Sequence, residues 1–199
     1  LGRERGIPVI VDGAHSFGLF DVKRDELECD YFATSLHKWL CGPPGTGFLY
    51  VQKDKIEGLW PLLSDNGRGA RDIRKYEEIG THCTPIYSSI AEAIAFHESI
   101  GVERKAARMR YLRDRWVTPL LKYDRVRLHS SLKPEYSCGF ANVGIDGISA
   151  NALSGHLWSQ HRISTVAITH RDQFQGIRVT PNIYTTLDEG RAAEVFSGL

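Results

Sequence analysis

The residues best placed for chemistry stand together in Ser35-Leu36-His37-Lys38, where an amine follows a hydroxyl and an imidazole within four positions. An amine held in a crowded, partly apolar pocket loses some of its charge to desolvation and becomes a nucleophile toward an aldehyde. Trp39-Leu40-Cys41 follow, and then Gly42-Pro43-Pro44-Gly45-Thr46-Gly47, a loop too rich in Gly and Pro for regular structure. The alternative for Lys38 alone is a surface lysine before a tight turn, since lysines are mostly exposed. A second group lies upstream, in Asp12-Gly13-Ala14-His15, where a carboxylate and an imidazole stand three positions apart. By itself that stretch reads equally as a turn, because Asp and Gly are common turn residues. Gly42 to Gly47 also has the G-x-x-x-x-G frame of a nucleotide-binding loop, but Phe48 and Leu49 occupy the positions where Lys and Ser or Thr would reach phosphates and Mg²⁺.

The elements that must position these groups are legible as apolar runs. Ile7 to Val11 is a continuous apolar run, which predicts a strand buried on both faces of a parallel sheet and places Asp12 and His15 at its C-terminal end, where open α/β sheets bind ligands. Asp30 to Thr34 predicts a second strand, delivering Ser35, His37 and Lys38 to the same sheet edge, and Phe48 to Val51 a third. Leu1 to Arg5 reads as the last turn of a helix closed by Gly6, and Val22 to Glu28 as a short helix. Asp54 to Leu63 is amphipathic, and Ser64 to Arg74 is a polar loop. Ser89-x-x-Glu92 predicts a capping box opening a helix with Ile90, Ala93, Ile94, His97 and Ile100 on one face, His97 reading as a core histidine. Val102, Ala106, Met109, Leu112, Trp116 and Leu120 then predict a long helix over 102–122.

Beyond Tyr123 the texture changes to strands at 126–128, 140–145 and 164–168, a helix over 149–161, and a final strand over 177–184 carrying Arg178. Thr186-x-x-Glu189 predicts the cap of a last helix running to Leu199. His156 and His161 are five apart, not the four that stack metal ligands on one helix face, so no metal site is expected.

Composition excludes several classes. The 199 residues carry 25 Lys and Arg against 24 Asp and Glu, so no basic field marks the chain for nucleic acid or an anionic membrane. Cys29, Cys41, Cys83 and Cys138 form no C-x-x-C, which disfavours a zinc ribbon or dithiol site and favours a reduced protein. No apolar run reaches the roughly 18 residues of a membrane span and no signal peptide opens the chain, so a cytoplasmic setting is expected. Leu1 is not an initiator methionine, which leaves room for an upstream targeting segment.

The ordered set Asp12-x-Ala14-His15, Ser35-x-His37-Lys38, Gly80-Thr81 and Ile177-Arg178 resembles the class V aminotransferase family of pyridoxal-phosphate enzymes, fold type I. The resemblance runs from about Ile7 to the end of the chain. It leans to the isopenicillin N epimerase-like branch through His37-Lys38-Trp39-Leu40-Cys41 and the run from Arg178 to Thr186. It implies an α/β fold: residues 1–101 as part of a cofactor-binding large domain with a mostly parallel sheet, 102–123 as a connecting helix, and 124–199 as a small α+β domain. It also implies pyridoxal 5'-phosphate as cofactor, with Lys38 as the Schiff-base lysine, Asp12 facing the pyridine nitrogen and His15 beside the phenolic oxygen. Ser35 and His37 would bind the phosphate, Thr81 would reach the phosphate of a neighbouring subunit in a homodimer, and Arg178 would clamp the substrate carboxylate. The expected substrate is an amino acid or related amine, transformed by transamination or epimerisation at its α-carbon.

Departures from the pattern leave other readings open. Family members are longer at the N-terminus, where a helix N-terminus and an aromatic ring complete the cofactor site, so the chain reads as a C-terminal portion lacking part of that site. A non-catalytic domain keeping the scaffold is therefore one alternative. A cysteine desulfurase or selenocysteine lyase is another, disfavoured because no Cys lies between His161 and Arg178, with a shifted Cys138 left open. His170 and Arg171 fall where that cysteine's loop would be and read as substrate contacts or as exposed loop residues. A nicotinamide-type dehydrogenase lacks G-x-G-x-x-G after the first strand.

Overall fold

The computed structural model describes residues 1–63, 67–170 and 172–189, which divide into two compact units, Leu1–Val102 and Glu103–Leu199. In the first unit a three-stranded sheet is ordered β1 (Ile10–Asp12), β2 (Tyr31–Ser35), β3 (Gly47–Val51). β1 runs parallel to β2, pairing Asp12 with Ala33, and β3 returns antiparallel, pairing Gly47 with Ser35. A short helix α1 (Arg24–Leu27) makes the crossover between the parallel pair. The start of β1 is tied down by Asp30, whose Oδ2 accepts from the Val9 N–H at 2.7 Å. That hydrogen bond, with help from Lys55, holds the Asp30 carboxyl below its ordinary value.

The expectation that the first strand is buried on both faces is corrected. Ile7 and Ile10 are 56% and 70% exposed, and among the described residues β1 is bonded to β2 alone. β2, bonded on both sides, shows the alternation of a half-buried strand, with Phe32 and Thr34 buried.

Between the first sheet and the helices, Asp54 to Leu63 forms only a one-turn 3-10 helix, Lys53–Lys55, followed by turns. Trp60 and Leu62 turn outward and line an open apolar cleft with Leu49, Tyr76 and Ile79. Lys75 and Tyr76 pin this segment: Lys75 Nζ donates to the carbonyls of Ile56 (2.6 Å) and Ala70 (2.8 Å), and Tyr76 OH to Ile56 and Leu59. A short α2 (Thr84–Ser88) leads into α3 (Ile90–Ile100). The capping box predicted at Ser89 does not form. Ser89 closes α2, so its hydroxyl donates back to the carbonyls of Pro85 and Ile86 instead of accepting from α3. Of the predicted stripe, Ala93 is buried and Ile90 packs beside it against Leu36 and Leu40, while Ile94 is exposed.

In the second unit α4 (Val102–Leu120) buries Trp116, Val117 and Leu120 in a core shared with Ala141, Val143 and Ile177 of the second sheet and Leu153 and Leu157 of α5 (Ala150–His161). Ser149 caps α5, its hydroxyl accepting from the Ala152 N–H at 3.2 Å. The sheet is antiparallel throughout, ordered β4 (Val126–Leu128), β5 (Ala141–Ile145), β7 (Phe174–Val179), β6 (Val166–His170). The last strand starts three residues earlier than the sequence predicts and stops at Val179, ahead of Pro181, which has no N–H for a ladder. Arg113, 1% exposed, fastens α4 to the 131–137 loop by donating to Ser137 Oγ (2.6 Å) and to the Leu132 carbonyl (3.1 Å), while its Nε donates to Asp114 of the same helix. The Thr186–Glu189 capping box forms, with the Thr186 N–H donating to Glu189 Oε2 at 2.7 Å and the Glu189 N–H to Thr186 Oγ1 at 3.3 Å. The helix expected beyond it lies outside the described residues, as does Arg171.

Candidate functional site

Two loops leave the C-terminal ends of the parallel neighbours β1 and β2 and meet at that edge of the sheet. The first, 13–18, turns sharply: the Gly13 carbonyl accepts from the N–H groups of Ser16 and Phe17, both at 3.0 Å, and from Thr34 Oγ1 of β2 at 3.1 Å. The second, 36–46, is held by buried Leu36, Trp39 and Leu40, which alternate with the polar His37 and Lys38 and press their side chains inward. Backbone bonds from Leu36 N–H to the Thr46 carbonyl (3.0 Å) and from Gly42 N–H to the Leu36 carbonyl (2.8 Å) close it. Gly18 is where the loops touch. Its φ is +75°, and a Cβ there would stand 2.9 Å from the Leu40 backbone nitrogen, so only glycine permits this approach.

The approach joins residues 23 positions apart: Lys38 Nζ lies 3.5 Å from His15 Nε2. The His15 ring meets the Trp39 indole edge-on, centroids 6.0 Å apart. Lys38 and His15 are both half-buried. Asp12 ends β1 at the same edge, exposed, its Oδ1 accepting from the Ala14 N–H at 2.9 Å. Ser35 ends β2, half-buried, and His37 is exposed beside Lys38. Thr81 sits in an exposed loop after Gly80, flanked by an Arg68–Glu78 ion pair at 3.2 Å. Asp12, His15, Ser35, His37 and Lys38 thus gather at one end of one sheet, and Thr81 belongs to an exposed loop of the same unit.

Arg178 belongs to the second unit. It is half-buried on β7, with its guanidinium 5.9 Å from the centre of the Phe140 ring. Cys138 is 4% exposed, its thiol donating toward the Ala106 carbonyl at 3.7 Å, and burial pushes that thiol above its ordinary pKa. A thiol kept neutral in this way is a poor nucleophile. His170 is exposed and packs against Phe174, centroids 5.0 Å apart. The rings of His156 and His161 come within 5.6 Å in spite of their spacing, but no third ligand joins them: among the described residues no group of three His, Cys, Asp or Glu could hold a metal ion. Nor is any helix among them long and apolar enough to cross a membrane. Sequence reasoning passes over Asn142, buried on β5 as the one side-chain amide among small and apolar neighbours; that polarity mismatch was its signal.

The family profile described as Aminotransferase class-V matches residues 1–187. The chain belongs to that family. An isopenicillin N epimerase from Streptomyces clavuligerus is 32% identical over 99% of the chain and 54% of its own length. The apo cysteine desulfurase of Thermococcus onnurineus NA1 superposes with a TM-score of 0.83 at 22% identity, over 99% of this chain and 54% of that one, a likeness of fold. The K223A mutant of C-DES, with glycine covalently linked to its PLP cofactor, gives 0.76 at 26% identity over 96% of this chain and 51% of that one. Pyridoxal phosphate, the cofactor expected from the sequence, is thus the cofactor named for that relative, and the α/β fold expected is the fold these relatives share. The chain spans about half the length of the relatives it matches.

Proposed function

We propose that this chain carries the lysine side of a pyridoxal-phosphate site and acts on an amino acid or related amine by transamination or epimerisation at the α-carbon. The observation that carries the reading is the 3.5 Å approach of Lys38 Nζ to His15 Nε2 at the sheet edge that Asp12 and Ser35 also reach. The donor set fits the cofactor group by group: an amine for the aldehyde, a carboxylate for the ring nitrogen, an imidazole for the phenolic oxygen, and a hydroxyl with a second imidazole for the phosphate. Bound there, pyridoxal phosphate would supply an electrophilic carbon for amines and a ring able to accept a carbanion's electron pair.

The chain's own residues would do the rest. Lys38 binds the aldehyde carbon and carries the α-proton on Nζ, as general base and then general acid. His15 orients that amine, and Asp12 holds a negative charge toward the ring nitrogen. Ser35 and His37 bind the phosphate, and Thr81 offers its hydroxyl to the phosphate of a second copy, which makes a homodimer part of the proposal. Arg178 takes the substrate carboxylate with its planar fork, a bidentate task that Lys performs poorly. Similarity to an epimerase along nearly the whole chain supports chemistry at the α-carbon. Burial of Cys138 disfavours it as the nucleophile of a desulfurase reading. The four cysteines form no disulfide, which supports a reducing, cytoplasmic setting.

The test is the absorption spectrum of the chain mixed with pyridoxal phosphate. A new band beyond that of the free cofactor is expected for the wild type and not for Lys38→Ala. Identical spectra for the two would remove Lys38 from its role.

A further inference from the structure

We infer that Asn142 is a second carboxylate-binding residue, its carboxamide working with the Arg178 guanidinium on the face of the second sheet opposite its core. The inference rests on the proposed role of Arg178 and adds a partner to it. Along β5, Ala141 and Val143 are fully buried in the core with Ile177, so Asn142 and Arg178, one residue out of step, share the other face. The two are direct partners across the antiparallel β5–β7 pair.

Both backbone groups of Asn142 are committed to the opposite side: its N–H donates to Ser130 Oγ and its carbonyl accepts from the His129 N–H, each at 2.9 Å. Relative to β7 the pair is therefore of the non-hydrogen-bonded kind, in which the Cα atoms stand about 4.5 Å apart and side chains come closest.

Asn142 is 7% exposed, yet neither Nδ2 nor Oδ1 has a hydrogen-bond partner among the described residues, and neither has the buried Nε of Arg178. Buried polar groups are almost always satisfied, so once Oδ1 meets Nε the remaining Nδ2 donors call for an outside acceptor. Gly176 makes room for the amide, since a Cβ there would stand 2.3 Å from Asn142 Oδ1. One arrangement satisfies all three atoms: Arg178 Nε–H donates to Asn142 Oδ1, and Asn142 Nδ2–H joins the outer guanidinium nitrogens in donating to a carboxylate. Such a ligand is planar, anionic and has two acceptor oxygens, as the carboxylate of an amino acid does.

The experiment is a titration of the full ¹⁵N-labelled chain with sodium propionate, against sodium chloride at equal ionic strength, following the Asn142 Nδ2 and Arg178 Nε resonances. Both are expected to move on one saturation curve. Asn142→Leu, which keeps the branching and the number of heavy atoms, should weaken propionate about tenfold, the loss of one hydrogen bond to a charged group. Asn142→Asp should abolish binding by pairing with Arg178 internally, and Arg178→Lys should weaken it at least as much as Asn142→Leu. If Arg178 Nε responds while the Asn142 amide stays still and both Asn142 variants bind as the wild type does, the inference falls and the Arg178 clamp stands. If neither resonance responds, both fall. The wild-type resonances decide even where a variant fails to fold.

Discussion

Gly13 stands between Asp12 and His15, and Gly13→Ala tests how tightly the first loop is held. Its backbone is anchored from several directions: the N–H donates to the Ala33 carbonyl at 2.7 Å, and its own carbonyl accepts from Thr34 Oγ1 and from two N–H groups of the turn. It cannot retreat from an added methyl. That methyl would lie 2.1 Å from Phe32 Cζ, in a ring that is 2% exposed and stacked on Phe48 at 6.0 Å between centroids. Carbon atoms rest about 3.5–4.0 Å apart, so ring and backbone must separate by roughly 1.5 Å. Overpacking of this kind costs about 1–3 kcal/mol. The stiffer unfolded chain returns about 0.4–1 kcal/mol, leaving a net destabilisation of about 1.3 kcal/mol. For a unit of about 100 residues that lowers Tm by roughly 5–10 °C, readable in thermal melts followed by near-UV circular dichroism. Phe32→Leu should relieve the clash, so the double substitution should cost at least about 1 kcal/mol less than the sum of the two singles. Strict additivity, or a Gly13→Ala melt that coincides with the wild type, would refute the reasoning.

Two further substitutions probe the second unit. Arg113→Met deletes three hydrogen bonds and strands the Leu132 carbonyl beside α4, so urea melts should show a loss of about 2–4 kcal/mol; a loss below about 0.5 kcal/mol would contradict the fastening role. Cys138 stays protonated in the fold above the pH at which an unfolded thiol ionises, because burial raises its pKa from 9.0. Its contribution is thus fully present below pH 9.0 and declines as pH rises from there toward the folded value. Cys138→Ala should flatten that part of the alkaline stability profile, and an unchanged slope would contradict the assignment. Thiol titration with a disulfide reagent should reach exposed Cys83 first and Cys29 and Cys138 only on unfolding.

What was legible in the sequence is what local chemistry decides. Gly6 adopts the left-handed conformation expected of a helix C-cap, Ser149 caps its helix, and the apolar spacing from Ala106 to Leu120 builds one long helix. The meeting of the two loops was legible only as a shared sheet edge; the contact itself depends on Gly18, whose need for glycine comes from a tertiary approach invisible in spacing. The exposure of β1 could not be read from Ile7 to Val11, because an apolar run does not say whether another layer covers each face. Ser89 shows the same limit at shorter range: the residue types of a capping box were there, but a preceding helical turn claimed the hydroxyl first. Asn142 is the converse case. An amide among small and apolar strand residues marks the position in the sequence, but only the burial and bonding around it show that its polar atoms lack partners.

The most direct measurement of the central claim is to incubate the chain with pyridoxal phosphate, reduce with borohydride, and map the pyridoxyl group by peptide mass spectrometry. The account predicts the label on Lys38, with little elsewhere and none recovered from that site in Lys38→Ala. A label spread over the exposed lysines, unchanged in amount by Lys38→Ala, would contradict it.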